Sequence, residues 1–184
     1  MKDNKRFNNI LGEEYELFRN AIYYYDELEE TIAREVSLFI DKDELILLEI
    51  GAGSGITTDA VLNKVDKNIL IKAVDNEPKM LKKAKEILVD HLEQVDLIEA
   101  DIVDYLKDIP DSYFDGVYSG WTIHNLDTEK RAGLFREIGR VTKKGGFIVN
   151  GDKIAVDNEQ KHEENYTGYK NLLKMSTIAH LDGF

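Results

Sequence analysis

The sequence predicts an α/β fold with a doubly wound, mostly parallel sheet and helices on both of its faces. Short apolar runs of strand type alternate with helical patterns from residue 45 to residue 150. The first run ends at glycines on alternate positions, and a helical pattern follows at once. Acidic residues follow the second and third runs. Right-handed crossovers then predict the strand order 3-2-1-4-5.

Length and composition predict one soluble domain with a real core. The chain has 184 residues, 42% hydrophobic and 33% charged, and a net charge of −12 that disfavours nucleic-acid binding. Cysteine is absent, which excludes disulfides and cysteine nucleophiles and is consistent with the cytoplasmic location that we expect. No apolar run approaches the roughly 18 residues of a membrane span. We divide the domain into a helical N-terminal cover (1–41), a ligand-binding core (42–152) and a C-terminal helix (153–184).

The periodicity assigns each element in turn. Apolar residues at helical spacing predict two cover helices between residues 13 and 41, with a break near residues 21–26. Asn76 as N-cap, followed by Glu77 and Pro78, predicts a helix start. Strands are predicted at 45–50, 69–74, 95–100, 114–119 and 147–150, and further helices at 54–65, 76–91, 128–141 and about 158–180.

The loop after the first strand reads E-x-G-x-G-x-G from Glu49 to Gly55. Glycine there permits positive φ and lets a ligand approach the bare backbone. The dinucleotide fingerprint G-x-G-x-x-G would need glycine where Ile56 stands, and a carboxylate at Glu49 would repel a pyrophosphate. The loop therefore suits a ligand with a cationic end and disfavours a nicotinamide dehydrogenase.

The ends of the next strands carry the other candidate ligand-binding residues. Asp75 ends the second strand, 24 residues past Gly51, where a carboxylate can accept hydrogen bonds from both hydroxyls of a ribose. An NAD enzyme would place an acid there too, so Asp75 indicates a ribose without saying which one.

The glycine loop resembles motif I of the class I S-adenosylmethionine-dependent methyltransferases, [DE]-x-G-x-G-x-G, and the later strand ends match that family over residues 45–150. The resemblance implies a Rossmann-like fold, S-adenosylmethionine as methyl donor and S-adenosylhomocysteine as product. It places Asp75 on ribose and the pair Asp101 and Ile102 on adenine. The other cofactor-binding residues that it implies are Glu49, Gly51, Ala52, Gly53, Gly55, Asn76, Met80, Ser119 and Gly120, the last two contacting the methionine end.

The methyl acceptor is less defined. His124 lies next to the expected transfer point, as a base or substrate contact or as a hydrogen-bonded structural histidine. Trp121 either walls the methyl pocket or packs, and Tyr15 and Arg19 are candidate substrate contacts in the cover. The segment [DN]-P-P-[YFW] is missing after the fourth strand, which favours a small-molecule acceptor. A tRNA or protein acceptor, and a cofactor-binding protein without catalysis, remain the alternatives.

The C-terminal part departs from the resemblance. Family members continue after the fifth strand into an antiparallel pair, strands 6 and 7, and this sequence shows neither. We therefore expect strand 5 to be an unpaired edge, so that the chain either self-associates there as a homo-oligomer or is a piece of a longer protein.

Overall fold

The computed structural model describes residues 25–152 and the backbone of residues 176–180. Its strands form a single sheet in the order β3-β2-β1-β4-β5-β6, with β1 to β5 parallel. The predicted order 3-2-1-4-5 is therefore confirmed. The strands are β1 (Leu45–Ile50), β2 (Ile69–Asp75), β3 (Val95–Glu99), β4 (Phe114–Gly120), β5 (Thr142–Gly151) and β6 (Ser176–His180).

Helices cover both faces of the sheet. Within residues 25–152 they are α1 (Tyr25–Ser37), α2 (Ile56–Lys64), α3 (Pro78–Ile87), α4 (Ile102–Lys107) and α5 (Thr128–Val141), with 3₁₀ turns at Val89–His91 and Ile123–Asn125. The bounds of α5 match the prediction. Other local assignments differ from it. The helix α4 was not predicted, and β5 begins at Thr142 and not at residue 147. The N-cap of α3 is Glu77 and not Asn76, and the Glu77 carboxylate accepts from Lys79 N.

The core lies in two layers because side chains along a strand alternate between the faces of the sheet. In β1, Leu45 and Leu47 pack in the layer beneath α1, whereas Leu48 and Ile50 pack in the layer beneath α5. Glu49 takes the α1 side of this alternation and is fully buried. The alternation of side chains along β1 therefore places the polar residue Glu49 in the interior.

The C-terminal prediction is wrong where the structure describes it. Residues 176–180 form β6, which pairs antiparallel with β5 through Phe147 and His180 and through Ile148 and Ala179. The backbone groups on that side of β5 pair with β6, so β5 is not the edge that we expected. The argument for self-association through an unpaired β5 fails with it, and a homo-oligomer stays a prediction without that support. The first 18 residues of the predicted helix over about 158–180 and the first cover helix lie outside the described residues.

Candidate functional site

A cavity opens at the carboxyl edge of the sheet, the edge at which ligands of doubly wound folds bind. Its walls come from the segments that follow β1, β2, β3 and β4, together with one side of α1. Ten predicted site residues line it: Gly51, Ala52, Gly53, Asp75, Asn76, Met80, Asp101, Ile102, Gly120 and Trp121. Strands far apart in sequence thus bring most of the predicted site together.

The glycine loop is held tightly against its neighbours. The N–H groups of Gly51 and Ala52 both donate to the Val74 carbonyl, at 2.9 and 3.0 Å. Gly51 has φ of +74°, and a Cβ there would stand 2.1 Å from Thr122 Oγ1. The position therefore requires glycine for conformation and for space.

Asp75 is part of the loop architecture as well as of the cavity wall. Its Oδ2 accepts from Gly53 N at 2.8 Å, and its Oδ1 accepts from Glu77 N at 2.9 Å. Burial raises the pKa of this carboxyl, and these amide bonds oppose that rise. Each oxygen has a second lone pair, so the carboxylate can still accept from a ligand in the cavity.

Three predicted residues stand behind the cavity wall and do not line it. Glu49 is fully buried, and its Oε2 accepts from Thr58 Oγ1 at 2.5 Å and from Tyr118 OH at 3.1 Å. Ser119 is 1% exposed and donates to the Ile50 carbonyl, and Gly55 packs on α3. These residues shape the loop from behind.

Burial also sets the protonation of Glu49. Desolvation raises its pKa from 4.5 to about 8, with hydrogen bonds opposing the rise and the nearby carboxylates of Glu29 and Asp75 adding to it. Its Oε1 has no hydrogen-bond partner within residues 25–152. The carboxyl is therefore poised to respond to a positive charge brought into the cavity.

Glu29 is a site residue that the sequence reasoning missed. It lies on α1, is 3% exposed and lines the cavity near the end of β4. A signal was present, because Glu29 falls on the apolar face of α1 between Leu28 and Ile32. With Glu29 included, the described lining carries four carboxylates (Glu29, Asp75, Glu77, Asp101) and one cation, Lys130.

Two aromatic residues in the cavity wall, Tyr25 and Trp121, pack on each other. Tyr25 and Trp121 stack with ring centroids 5.6 Å apart and an interplanar angle of 2°. Trp121 has φ of +56°, and its N–H donates to the Gly151 carbonyl at 2.9 Å. Trp121 therefore lines the cavity and also packs on Tyr25, and its place in a methyl pocket stays a prediction.

His124 is not in the cavity wall but is bound to a carboxylate beside it. Asp152 accepts from His124 N through Oδ2 at 2.8 Å, and its Oδ1 lies 2.5 Å from His124 Nδ1. Asp152 was not predicted as a site residue. A signal was present, because Asp152 follows β5 directly, much as Asp75 ends β2 and Asp101 follows β3. Tyr15 and Arg19 lie outside the described residues.

In the described part of the chain, no three histidine or acidic side chains form a group that could hold a metal ion. No helix there is long and apolar enough to cross a membrane.

Comparison with known proteins decides the family. The family model described as a methyltransferase domain matches residues 48–150, which is more than half of the chain. The matched range contains the glycine loop and the five parallel strands, apart from the first residues of β1 and the last residue of β5. The chain belongs to the class I S-adenosylmethionine-dependent methyltransferase family.

Relatives and solved structures agree with this assignment. The chain is 24% identical over 150 residues to a carboxy-S-adenosyl-L-methionine synthase of Ruthia magnifica, covering 81% of this chain and 61% of the relative. It is 31% identical over 137 residues to malonyl-[acyl-carrier protein] O-methyltransferase 2 of Ilyobacter polytropus, covering 72% and 50%. The chain thus spans between half and two thirds of the length of these curated relatives.

A structure from Methanococcus maripaludis, described as that of a proposed S-adenosyl-L-methionine-dependent methyltransferase, has the same fold. It superposes with a TM-score of 0.66 at 20% identity, over 93% of this chain and 75% of that one.

The cavity of this chain fits the cofactor of its family. S-adenosylmethionine has a cationic methionine end, a ribose diol and an adenine amine. Among the lining carboxylates, Glu29 suits the positive charge, Asp75 suits the diol and Asp101 suits the amine. Ser54 Oγ lines the cavity and has no hydrogen-bond partner within residues 25–152, so it can bond to a bound molecule.

Proposed function

We propose that this chain transfers a methyl group from S-adenosylmethionine to a small-molecule acceptor by in-line displacement, with S-adenosylhomocysteine as product. One observation carries the proposal. The glycine loop is fixed by Asp75 at the rim of a cavity that is lined by four carboxylates. When bound, S-adenosylmethionine supplies an electrophilic methyl group on a positively charged sulfur.

We assign the ribose and adenine contacts from the hydrogen-bonding capacity that remains at each residue. Asp75 accepts from the ribose hydroxyls, and Asn76 and Met80 flank the adenosine. Asp101 caps α4 through Oδ1, accepting from Val103 N at 2.9 Å, which leaves Oδ2 for the exocyclic amine. Ile102 is the first residue of α4, so its N–H has no acceptor within the helix and can meet a ring nitrogen.

The methionine end lies at the glycine loop in this proposal. Gly51, Ala52, Gly53 and Gly120 let its backbone come close, and Glu29 faces it from α1. Glu49 and Ser119 act from behind. Ser119 holds the end of β1, and Glu49 holds Thr58 and Tyr118 by accepting a hydrogen bond from each. Positioning the two reactants and excluding water are the main tasks of the protein in such a displacement.

The net charge of −12 supports a small-molecule acceptor over a nucleic acid. The absence of cysteine favours a cytoplasmic location. A tRNA or protein acceptor and a cofactor-binding role without catalysis are the alternatives that the experiment must separate.

Calorimetry with S-adenosylhomocysteine, S-adenosylmethionine and NADH tests the cofactor. We expect the first two to bind, and NADH not to bind. Tight NADH binding without S-adenosylhomocysteine binding overturns the proposal.

Transfer of a labelled methyl group to metabolite, tRNA and protein fractions tests the acceptor. We expect label in the metabolite fraction. Label only in tRNA or protein selects those acceptors, and binding without any label selects the role without catalysis.

A further inference from the structure

His124 and Asp152 form a hydrogen-bonded pair whose geometry is more specific than that of a packing contact. One carboxylate bonds twice to the same histidine, at the backbone N–H and at ring Nδ1. The pair spans 28 residues of sequence and joins the turn after β4 to the end of β5. Both the position of the histidine backbone and the orientation of its ring therefore depend on Asp152.

The two members of the pair differ in exposure. Asp152 is 4% exposed, whereas the side chain of His124 is 27% exposed. The ring nitrogen Nε2 has no hydrogen-bond partner within the described residues. An imidazole that is anchored at Nδ1 and open at Nε2 has the arrangement of an oriented base.

The pair of His124 and Asp152 also lies at the carboxyl edge of the sheet, the edge at which the cavity opens. Gly120 and Trp121, just before His124, line the cavity. The bond from Trp121 N to the Gly151 carbonyl ties this segment to the residue before Asp152. The pair is thus attached to the cavity wall at the end of β4, where the proposed function puts the methionine moiety.

We propose that Asp152 is a positioning residue that holds His124 in the Nδ1–H tautomer, so that Nε2 is the general base of the reaction. The acceptor then belongs to the class of groups that must lose a proton, a hydroxyl or an ammonium. This inference rests on the proposed function and deepens it.

His124 Nε2 takes the proton of the acceptor, which leaves a lone pair on the acceptor heteroatom, and the Asp152 carboxylate stabilises the imidazolium that forms. The lone pair of the heteroatom forms the bond to the methyl carbon while the carbon–sulfur bond breaks, and the electron pair of that bond stays on sulfur. The proton then passes to water.

The substitution Asp152→Asn removes the carboxylate that sets the tautomer of His124 while keeping the shape of the side chain. An asparagine has a single oxygen, so it cannot accept from both His124 N and Nδ1–H. If the oxygen keeps the backbone N–H, the amide NH₂ faces Nδ1 and favours the Nε2–H tautomer. That tautomer cannot take a proton at Nε2.

Nitrogen NMR on the full chain reads the tautomer directly and needs no acceptor. Spectra of ¹⁵N-histidine-labelled protein are recorded at neutral pH, and His124→Gln assigns the signal among the four histidines. We expect the Nδ1–H form in the wild type and a shift toward Nε2–H in Asp152→Asn. Asp90→Asn, at an exposed site in the 3₁₀ turn, removes the same charge and should leave the His124 signals unchanged. A wild-type Nε2–H tautomer overturns the inference.

Labelled methyl transfer to the metabolite fraction gives the second readout. We expect His124→Gln and Asp152→Asn to lower the rate by about 10²–10⁴-fold, as loss of a general base does, with S-adenosylhomocysteine affinity kept within about twofold. Asp90→Asn should retain the full rate.

The two readouts separate the inference from the proposed function. Full activity in a folded His124→Gln variant refutes the base while leaving the methyltransferase assignment in place. A wild type that fails to bind S-adenosylhomocysteine refutes the proposed function itself.

Discussion

Replacing Glu49 by glutamine should change how the stability of the protein depends on pH. Glu49 is fully buried behind the glycine loop, where Thr58 and Tyr118 donate to one of its oxygens. Burial raises the pKa of this carboxyl from 4.5 to about 8. Glutamine has nearly the same shape and can accept the same bonds, but it cannot titrate.

The sign of the effect follows from proton binding in the two states. Between pH 4.5 and 8 the native protein holds a proton at Glu49 that the unfolded chain has released. The contribution to stability is therefore fully present below about pH 4.5 and is lost as the pH rises to 8. The difference between 8 and 4.5, at about 1.4 kcal/mol per pH unit, sets an upper limit of ~5 kcal/mol on the loss.

Urea unfolding at pH 5, 6, 7 and 8 measures this loss. The free energy of unfolding of Glu49→Gln relative to wild type should increase steadily with pH. Any constant cost of the new amide cancels in that trend. Glu86→Gln, on the exposed side of α3, is the control and should follow the wild-type curve. Parallel curves for Glu49→Gln and wild type from pH 5 to 8 would refute the reasoning.

Three further predictions concern the cavity. Asp75→Ala should weaken S-adenosylhomocysteine binding about ten- to a hundredfold, roughly 1.5–3 kcal/mol, in a protein that still folds, and an unchanged dissociation constant in calorimetry would show that Asp75 does not reach the ribose. Gly51→Ala should lower the melting temperature and abolish cofactor binding, because the new Cβ would stand 2.1 Å from Thr122 Oγ1 at a φ of +74°; wild-type melting and binding would contradict this. Hydrogen exchange in α1 should slow when S-adenosylhomocysteine is added, because Tyr25 and Glu29 line the cavity; unchanged exchange would refute a role for α1 as a cover.

The sequence determined those features of this protein that depend on local patterning. Positive φ at Gly51, Gly53 and Gly55 follows from the spacing of the glycines themselves. Apolar runs alternating with helical patterns suffice for a parallel sheet, and the handedness of crossovers then orders its strands. The acidic residues at the ends of β2 and β3 could be predicted from the sequence because the end of a strand is a local feature.

Only the tertiary structure decided the features that join distant segments. Residues 176–180 form β6 because they pair with the free side of β5. The periodicity of those five residues does not indicate that β5 is their partner. Glu29 enters the site because α1 packs beside the end of β4. Glu49 lies behind the wall because its side chain meets Thr58 of α2 and Tyr118 of β4 in the core. His124 and Asp152 meet across 28 residues because β4 and β5 are neighbours in the sheet. Such contacts depend on the relative placement of whole elements, which a short stretch of sequence does not encode.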